Sequence, residues 1–189
     1  MNAPSLLSQL LADIDARVYA IRADRSDWPC AKGCDSCCRR LAAEPRLTAA
    51  EWALLRDALA ALSAQRLGEI TTKMLALAAG QPSFPVVCPL LDPASGACPV
   101  YVARPVACRT YGFYVQRELG LYCLEIESRV ADGALADVMW GNHDAIDQRL
   151  SGLGEVRALS AWFARWERER SEPGASPAVA LGSHGAVPG

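Results

Sequence analysis

The chain has 189 residues, the length of one compact domain with terminal extensions. Apolar residues make up 51% of the sequence, which is enough to build a hydrophobic core without disulfide bonds. The net charge is -2, and this balance argues against a nucleic-acid or anionic-membrane partner, because such partners usually select a basic excess.

No segment of the sequence has the pattern of an export signal or a membrane anchor. The first 24 residues lack an early Lys or Arg, and Asp13 and Asp15 interrupt their apolar stretch, whereas a secretory signal has a basic start and an unbroken apolar centre. No apolar run approaches the ~18–20 residues that span a bilayer. We therefore expect a cytoplasmic protein, in which thiols stay reduced.

The first predicted element is an amphipathic helix near the start of the chain. Its apolar residues recur at steps of three and four, which places them on one face of a helix. They are Leu7, Leu10, Leu11, Ile14, Val18 and Ile21. We expect this helix to end at Trp28 and Pro29, because proline does not continue a helix.

Two further helices are predicted between residues 48 and 80. Thr48 and Glu51 have the spacing of a capping box, which marks the beginning of the second helix. The third helix is predicted over residues 64–79, since Gly80 and Pro82 follow it and act as stop signals.

Residues 81–112 have a proline density that predicts irregular structure. Regular helices and central strands do not tolerate proline at such close intervals. The prolines are Pro82, Pro85, Pro89, Pro93, Pro99 and Pro105. An irregular segment of this length in a compact domain needs another scaffold, and metal ligation can supply one.

The last part of the chain is predicted to be mixed at first and then helical. Residues 113–140 fit no single pattern, and Asn142 or Asp144 is a candidate start for a short helix. The final predicted helix carries apolar residues at steps of three and four. They are Val156, Leu159, Phe163 and Trp166. The tail is rich in Gly, Pro, Ala and Ser and is predicted to be disordered.

The cysteines are the most informative residues of the sequence. There are eight, and all of them lie between residues 30 and 123. They are Cys30, Cys34, Cys37, Cys38, Cys88, Cys98, Cys108 and Cys123. This content is well below the ~8–10% of a small disulfide-rich scaffold. Clustered cysteines in a reducing compartment indicate metal binding or catalysis instead.

The first cysteine group is the segment Cys-Ala-Lys-Gly-Cys-Asp-Ser-Cys-Cys, residues 30–38. A Cys-x-x-Cys pair lets a tight turn present two thiolates to one metal ion, and Gly33 gives the backbone the freedom that such a turn needs. Because the side chains of neighbouring residues diverge, Cys37 and Cys38 either serve different metals, or one of them ligates and the other packs.

The second group is spread over the proline-rich segment. Cys88 and Cys98 each precede a proline, as ligands do in ferredoxin-type loops, which favours an iron–sulfur cluster. Cys108 and Cys123 follow, and for Cys123 ligation and simple packing both remain open. Nearby basic residues can offset the negative charge of a thiolate site and lower the thiol pKa values. They are Lys32, Arg39, Arg40, Arg104 and Arg109.

The residues alone leave the metal undecided. Eight thiols are enough for two closed four-thiolate zinc sites, and they are also enough for one four-iron cluster with spare cysteines. A thioredoxin-like redox pair at Cys34 and Cys37 is a weaker alternative, because it needs a βαβ setting that the predicted helices do not provide.

The order of the cysteines and their flanking residues resembles a bacterial cysteine-cluster family, the zinc- or iron-chelating proteins with a CxxCxxCC motif. The pattern C-x-x-x-C-x-x-C-C, then C-P-L-L, then C-P-V-Y-x-x-R-P-x-x-C-R-x-Y carries this resemblance over about residues 30–114. The matched positions are Cys34, Cys37, Cys38, Cys88, Cys98 and Cys108, with Arg104, Pro105 and Arg109. Cys30 matches a variant of the motif, and Cys123 lies beyond the aligned part.

The resemblance implies a metal-binding protein whose cofactor is zinc or iron. It also implies relatives among flagellin lysine methylases, which are thought to carry an iron–sulfur cluster and to use S-adenosylmethionine. The sequence has no glycine-rich nucleotide loop for that chemistry. Three functions therefore stand side by side: a metal-chelating domain, an iron–sulfur-dependent enzyme, and a zinc-stabilised protein-interaction module.

Together these patterns predict a mainly α fold, with helices packed around an irregular, proline-rich, cysteine-ligated metal core. We expect a single cysteine-cluster domain over residues 1–170, a metal core over residues 28–125 and a disordered tail over residues 171–189. All eight cysteines are candidate metal ligands. The expected partner is a metal ion, and we expect neither a nucleic-acid nor a membrane partner.

Overall fold

The computed structural model describes residues 3–80 and 85–172. Over these residues the chain forms α1 Ala3–Ala23, α2 Ser36–Arg39, α3 Ala49–Ala60, α4 Ala64–Ala79, α5 Val106–Thr110, α6 Leu124–Ala131, α7 His143–Leu150 and α8 Leu159–Ser171. The short strands are β1 Arg46–Thr48, β2 Tyr114–Gln116, β3 Leu119–Leu121, β4 Gly141–Asn142 and β5 Val156–Ala158. The fold is mainly α, as predicted, and residues 173–189 of the predicted tail lie outside the described residues.

Capping residues explain where three of the predicted helices begin. Thr48 caps α3, and the predicted capping box with Glu51 is present. Ser63 caps α4 by accepting a hydrogen bond from the amide of Arg66, and α4 ends just before Gly80, as predicted. Asn142 caps α7 through its side-chain oxygen, which selects between the two starts proposed for that helix.

The proline-rich segment contains a helix that the sequence analysis excluded. Helix α5 begins immediately after Pro105, whose carbonyl accepts hydrogen bonds from the amides of Cys108 and Arg109. The first amides of a helix have no partner inside it, so a proline at this end costs no hydrogen bond. The prediction of irregular structure over residues 81–112 was therefore wrong for residues 106–110, and Cys108 lies on a helix.

The end of the first helix and the beginning of the last helix also differ from the prediction. Helix α1 ends at Ala23, earlier than expected, and Trp28 is buried in the core instead. Val156 was assigned to the last helix but lies in β5, which pairs antiparallel with β1. The step of three residues between Val156 and Leu159 fits a helix, but Val156 is extended instead because β5 pairs with β1.

The remaining strands form a second small sheet in the order β3-β2-β4. Strands β2 and β3 pair antiparallel, and β4 pairs parallel to β2. These strands are only two or three residues long, too short to leave a period-two pattern in the sequence. They lie in the segment that the sequence analysis predicted to be mixed. Among the described residues, no helix is long and apolar enough to cross a membrane.

Buried apolar side chains form two clusters, which we call the first core and the second core. The first core joins α1, α5, α6 and α7 and includes Leu10, Ile14, Val106, Ile126 and Ile146. The second core joins α3, α4 and α8 and includes Leu55, Leu59, Met74, Leu159 and Phe163. Cysteines pack against both of them, so the cysteine-bearing segments lie where the two cores adjoin.

A buried carboxylate ties the beginning of α3 to the beginning of α5. Glu51 is 5% exposed, and its Oε2 accepts hydrogen bonds from the amide and the hydroxyl of Thr48, at 2.9 and 2.8 Å. Its Oε1 accepts a hydrogen bond from the amide of Val106, at 2.9 Å. Because Val106 belongs to the first core and α3 to the second, Glu51 links the two cores beside Cys108.

This link predicts that Glu51→Gln destabilises the protein by about 1–3 kcal/mol, because the amide group of glutamine brings a donor against a backbone donor. The measurement is the free energy of unfolding from chemical denaturation. The matched control is Glu169→Gln, whose carboxylate is exposed and pairs with Arg165 one turn away on α8; a change within about 0.5 kcal/mol is expected there. Equal effects of the two substitutions would contradict the linking role of Glu51.

Candidate metal centre

The first cysteine segment folds into a turn and a short helix. The amide of Cys34 donates to the carbonyl of Ala31, at 3.1 Å, and Gly33 has a φ of +100° that favours glycine. The four-residue helix α2 follows and carries Cys37 and Cys38. Successive side chains of a helix point about 100° apart, so the two adjacent cysteines face different surroundings.

Four thiols come together on the side of the first core. We call them the first thiol group: Cys30, Cys34, Cys37 and Cys123. Burial, followed by the fields of the other three thiols, raises the pKa of Cys30 to about 12. All four line a cavity of about 70 Å³, and Cys30 and Cys123 pack against the first core.

The remaining thiols come together on the side of the second core. We call them the second thiol group: Cys38, Cys88, Cys98 and Cys108. The amide of Cys88 donates to the carbonyl of Cys38, at 2.7 Å, which holds the two segments together. Burial and then the field of Cys38 raise the pKa of Cys108 to about 12. Burial also raises the pKa of Cys98, and both Cys88 and Cys98 pack against the second core.

The two groups touch at α2. The pKa of Cys37 lies far above its usual range. The largest cause is a hydrogen bond between the thiols of Cys37 and Cys38, and the second is burial. The same bond lowers the pKa of Cys38, but a hydrogen bond with Cys88 and burial outweigh it and raise that pKa to about 12. Cys34, Cys37 and Cys108 line the cavities of both groups. The thiols thus form two groups with one shared boundary.

Arg104 is the cation that acts on the second group. Its positive charge lowers the pKa values of Cys98 and Cys108, against the larger effect of burial. The guanidinium carbon lies 3.5 Å from the centre of the Tyr101 ring, and Nε donates to the carbonyl of Tyr101, at 3.0 Å. These two contacts fix the guanidinium beside the thiols, in agreement with the charge-offsetting role expected from the sequence.

Arg109, which was expected to share that role, is engaged elsewhere. Its Nη1 donates to both carboxylate oxygens of Asp15 on α1, at 2.9 and 3.0 Å. Its Nε donates to the carbonyl of Arg104, at 3.0 Å, and its Nη2 donates to the carbonyl of Val102. Arg109 therefore fastens α1 to the loop before α5 and positions Arg104 and Cys108 indirectly.

Gly112 allows the chain to pass close to Cys30, a contact that the sequence analysis missed. The glycine has a φ of +89°, and a Cβ atom at this position would lie 2.4 Å from Sγ of Cys30. The neighbouring Tyr111 donates from its hydroxyl to the carbonyl of Tyr122, at 2.8 Å. Burial and then the charges of nearby thiols, that of Cys123 first, raise the pKa of Tyr111. Only the folded chain brings Gly112 and Cys30 together.

The donor chemistry of the two groups fits a soft metal, because thiolates are the preferred ligands of zinc and of iron–sulfur clusters. All eight cysteines are half-buried and free of disulfide bonds. Over residues 3–80 and 85–172, however, no three His, Cys, Asp or Glu side chains already stand in an arrangement that could hold a metal ion. The thiols converge without closing into a ligand shell, and a metal must displace their protons to bind.

Comparison with known proteins agrees with this cysteine pattern. The model of the family CxxCxxCC, described as "Putative zinc- or iron-chelating domain", matches residues 29–129, more than half of the chain. The match contains all eight cysteines and extends past Cys123, which the resemblance seen in the sequence did not reach. No curated protein and no solved structure matches the chain.

The close approach at Gly112 yields a prediction with a matched control. Gly112→Ala should destabilise the protein by more than Gly133→Ala, because both glycines have positive φ but only Gly112 has a neighbour within 4 Å of the added Cβ. The Gly133 substitution alone should cost about 1–2 kcal/mol, the usual penalty for an alanine in this conformation. The measurement is chemical denaturation, and equal losses for the two variants would contradict the contact with Cys30.

Proposed function

The chain belongs to the CxxCxxCC family of zinc- or iron-chelating domains, and we propose that it uses its eight cysteines to build two metal centres with four thiolates each. The first thiol group would hold one metal and the second thiol group the other. The observation that carries this proposal is the division of the thiols at α2, where Cys37 belongs to one group and Cys38 to the other.

The packing of the cysteines supports this division independently of their electrostatic interactions. Cys30 and Cys123 pack against the first core, and Cys88 and Cys98 pack against the second. Two members of each group therefore share a support in one core, which favours one ion for each group. Closing each ligand shell then requires adjustment of side chains on supports that are already in place.

We propose zinc as the metal of both centres, with a structural role. Two four-thiolate sites use all eight cysteines, so neither site keeps an open position for water or substrate, and closed sites of this kind are typical of structural zinc. Binding energy at such sites contributes directly to the stability of the fold. The metal core would comprise residues 28–125 of a single domain over residues 1–170, in a cytoplasmic location where the thiols stay reduced.

One observation favours a second candidate, an iron–sulfur centre. Cys37 and Cys38 are in contact, and Cys108 is close to both, so the thiols also form one continuous patch. A four-iron cluster needs only four of them as ligands. Such a centre would give the domain a redox or radical role rather than a structural one.

The test is the metal content of protein purified without oxygen, compared with Cys123→Ser and Cys98→Ser, since Cys123 lines only the first cavity and Cys98 only the second. We expect about two zinc ions in the wild-type chain and about one in each variant, because each substitution opens one four-thiolate site. Each variant should also unfold at a lower denaturant concentration than the wild-type protein, since ligation contributes to folding.

The two variants serve as controls for each other, because each changes one thiol group and leaves the other intact. Loss of both metals from either variant would indicate one shared centre and would contradict the division at α2. Iron with sulfide and a brown colour in the wild-type protein would contradict zinc and favour the second candidate. Unchanged zinc content in both variants would contradict the proposed ligands.

A further inference from the structure

A cavity of about 570 Å³ adjoins the second thiol group. All four thiols of that group line it, but four sulfur atoms around one zinc ion, at bonds of about 2.3 Å, need far less space. The volume lies within the range of about 300–1,000 Å³ that is usual for small-molecule sites. Most of the cavity is therefore available to a ligand other than the metal.

The inner wall of the cavity is apolar. Its side chains belong to the second core and to the loops beside it, and they are almost completely buried: Leu55, Leu90, Leu91, Val100 and Leu159. Leu55 is 0% exposed and Leu159 is 1% exposed, so the cavity reaches into the interior of the protein. An apolar group that enters it would be removed from water, which favours binding.

The ionisable side chains of the lining, apart from the thiols and tyrosines, are three arginines and one glutamate among the described residues. Arg40 and Arg46 are exposed and lie towards solvent, while Arg104 is half-buried beside the thiols. The carboxylate of Glu44 is engaged at the beginning of α8, where it accepts a hydrogen bond from the amide of Ser160. In the proposed zinc form, the four thiolates leave a net negative charge beside Arg104, so the positive charge open to an anionic group is that of Arg40 and Arg46.

We propose that this cavity binds a small apolar molecule that carries one anionic group, such as a medium-chain carboxylate. The apolar part lies against the buried leucines, and the anionic group lies with the exposed Arg40 and Arg46. This inference goes beyond the proposed metal function, since it adds a ligand site that uses the second thiol group as one wall. It depends on the shape of the cavity and does not depend on which metal is bound.

The experiment is a calorimetric titration of the purified, metal-containing protein with decanoate. We expect saturable binding of one decanoate per chain. Decylamine has the same chain with a cationic end, so we expect it to bind at least about tenfold more weakly, equivalent to about 1.4 kcal/mol. Equal binding of the two probes would overturn the anionic part of the proposal.

Two substitutions of an alanine by tryptophan test the location of the ligand site. Ala43 lines the cavity and is exposed, so Ala43→Trp should fill the space without disturbing the buried core and should weaken decanoate binding at least about tenfold. Ala61 is equally exposed, follows α3 and lies outside the lining, so Ala61→Trp should leave binding unchanged. Wild-type affinity in Ala43→Trp would overturn the assignment of the site.

Metal analysis of the same samples separates this inference from the proposed function. Zinc without saturable decanoate binding would overturn the ligand site and leave the two metal centres standing. Saturable decanoate binding by a protein that carries no metal would support the ligand site and contradict the metal function. Binding of many decanoate molecules at once, without saturation, would indicate surface adsorption and would also overturn the inference.

Discussion

Successive side chains of a helix point about 100° apart, and this constraint acts on the adjacent cysteines of α2. Cys37 lies with thiols that pack against the first core, and Cys38 lies with thiols that pack against the second. Helix α2 therefore contributes one cysteine to each of the two thiol groups. In the proposed two-metal arrangement, metal bound by either group would fasten distant parts of the chain to this segment.

Two contacts that need no metal bring the cysteine-bearing segments to the same place. Glu51 holds the beginning of α5 against α3, and Arg109 holds the loop before α5 against Asp15 of α1. Both act on the short stretch that contains Cys108. A buried carboxylate with donors on both oxygens is costly to disrupt, because each lost partner leaves a buried polar group unpaired. These contacts support the position of Cys108 without any contribution from a metal.

The sequence predicted the elements whose signals are local. The capping box of α3 and the stop of α4 at Gly80 depend only on neighbouring residues, and the predicted boundaries agree with the structure. Helix α5 was missed because proline was interpreted as a breaker, although proline is well tolerated where a helix begins. Strand β5 was missed because its pairing with β1 depends on residues that are distant in sequence.

The distinction between local signals and contacts between distant residues also applies to the candidate metal centre. All eight cysteines are candidate ligands from the sequence, with ligation and packing both open for Cys123, and the divergence of Cys37 and Cys38 is predicted from their adjacency. The grouping of the cysteines is not, because Cys123 joins residues 30–37 only after the chain has folded. The approach of Gly112 to Cys30 leaves no mark in the sequence for the same reason.

We propose that four thiolates surround each of two separate zinc ions. X-ray absorption spectroscopy at the zinc and iron edges, on protein purified without oxygen, tests it most directly. We expect zinc with four sulfur neighbours at about 2.3 Å and no metal neighbour at short range. Iron with a short iron–iron distance, or zinc with nitrogen or oxygen ligands in place of sulfur, would contradict it.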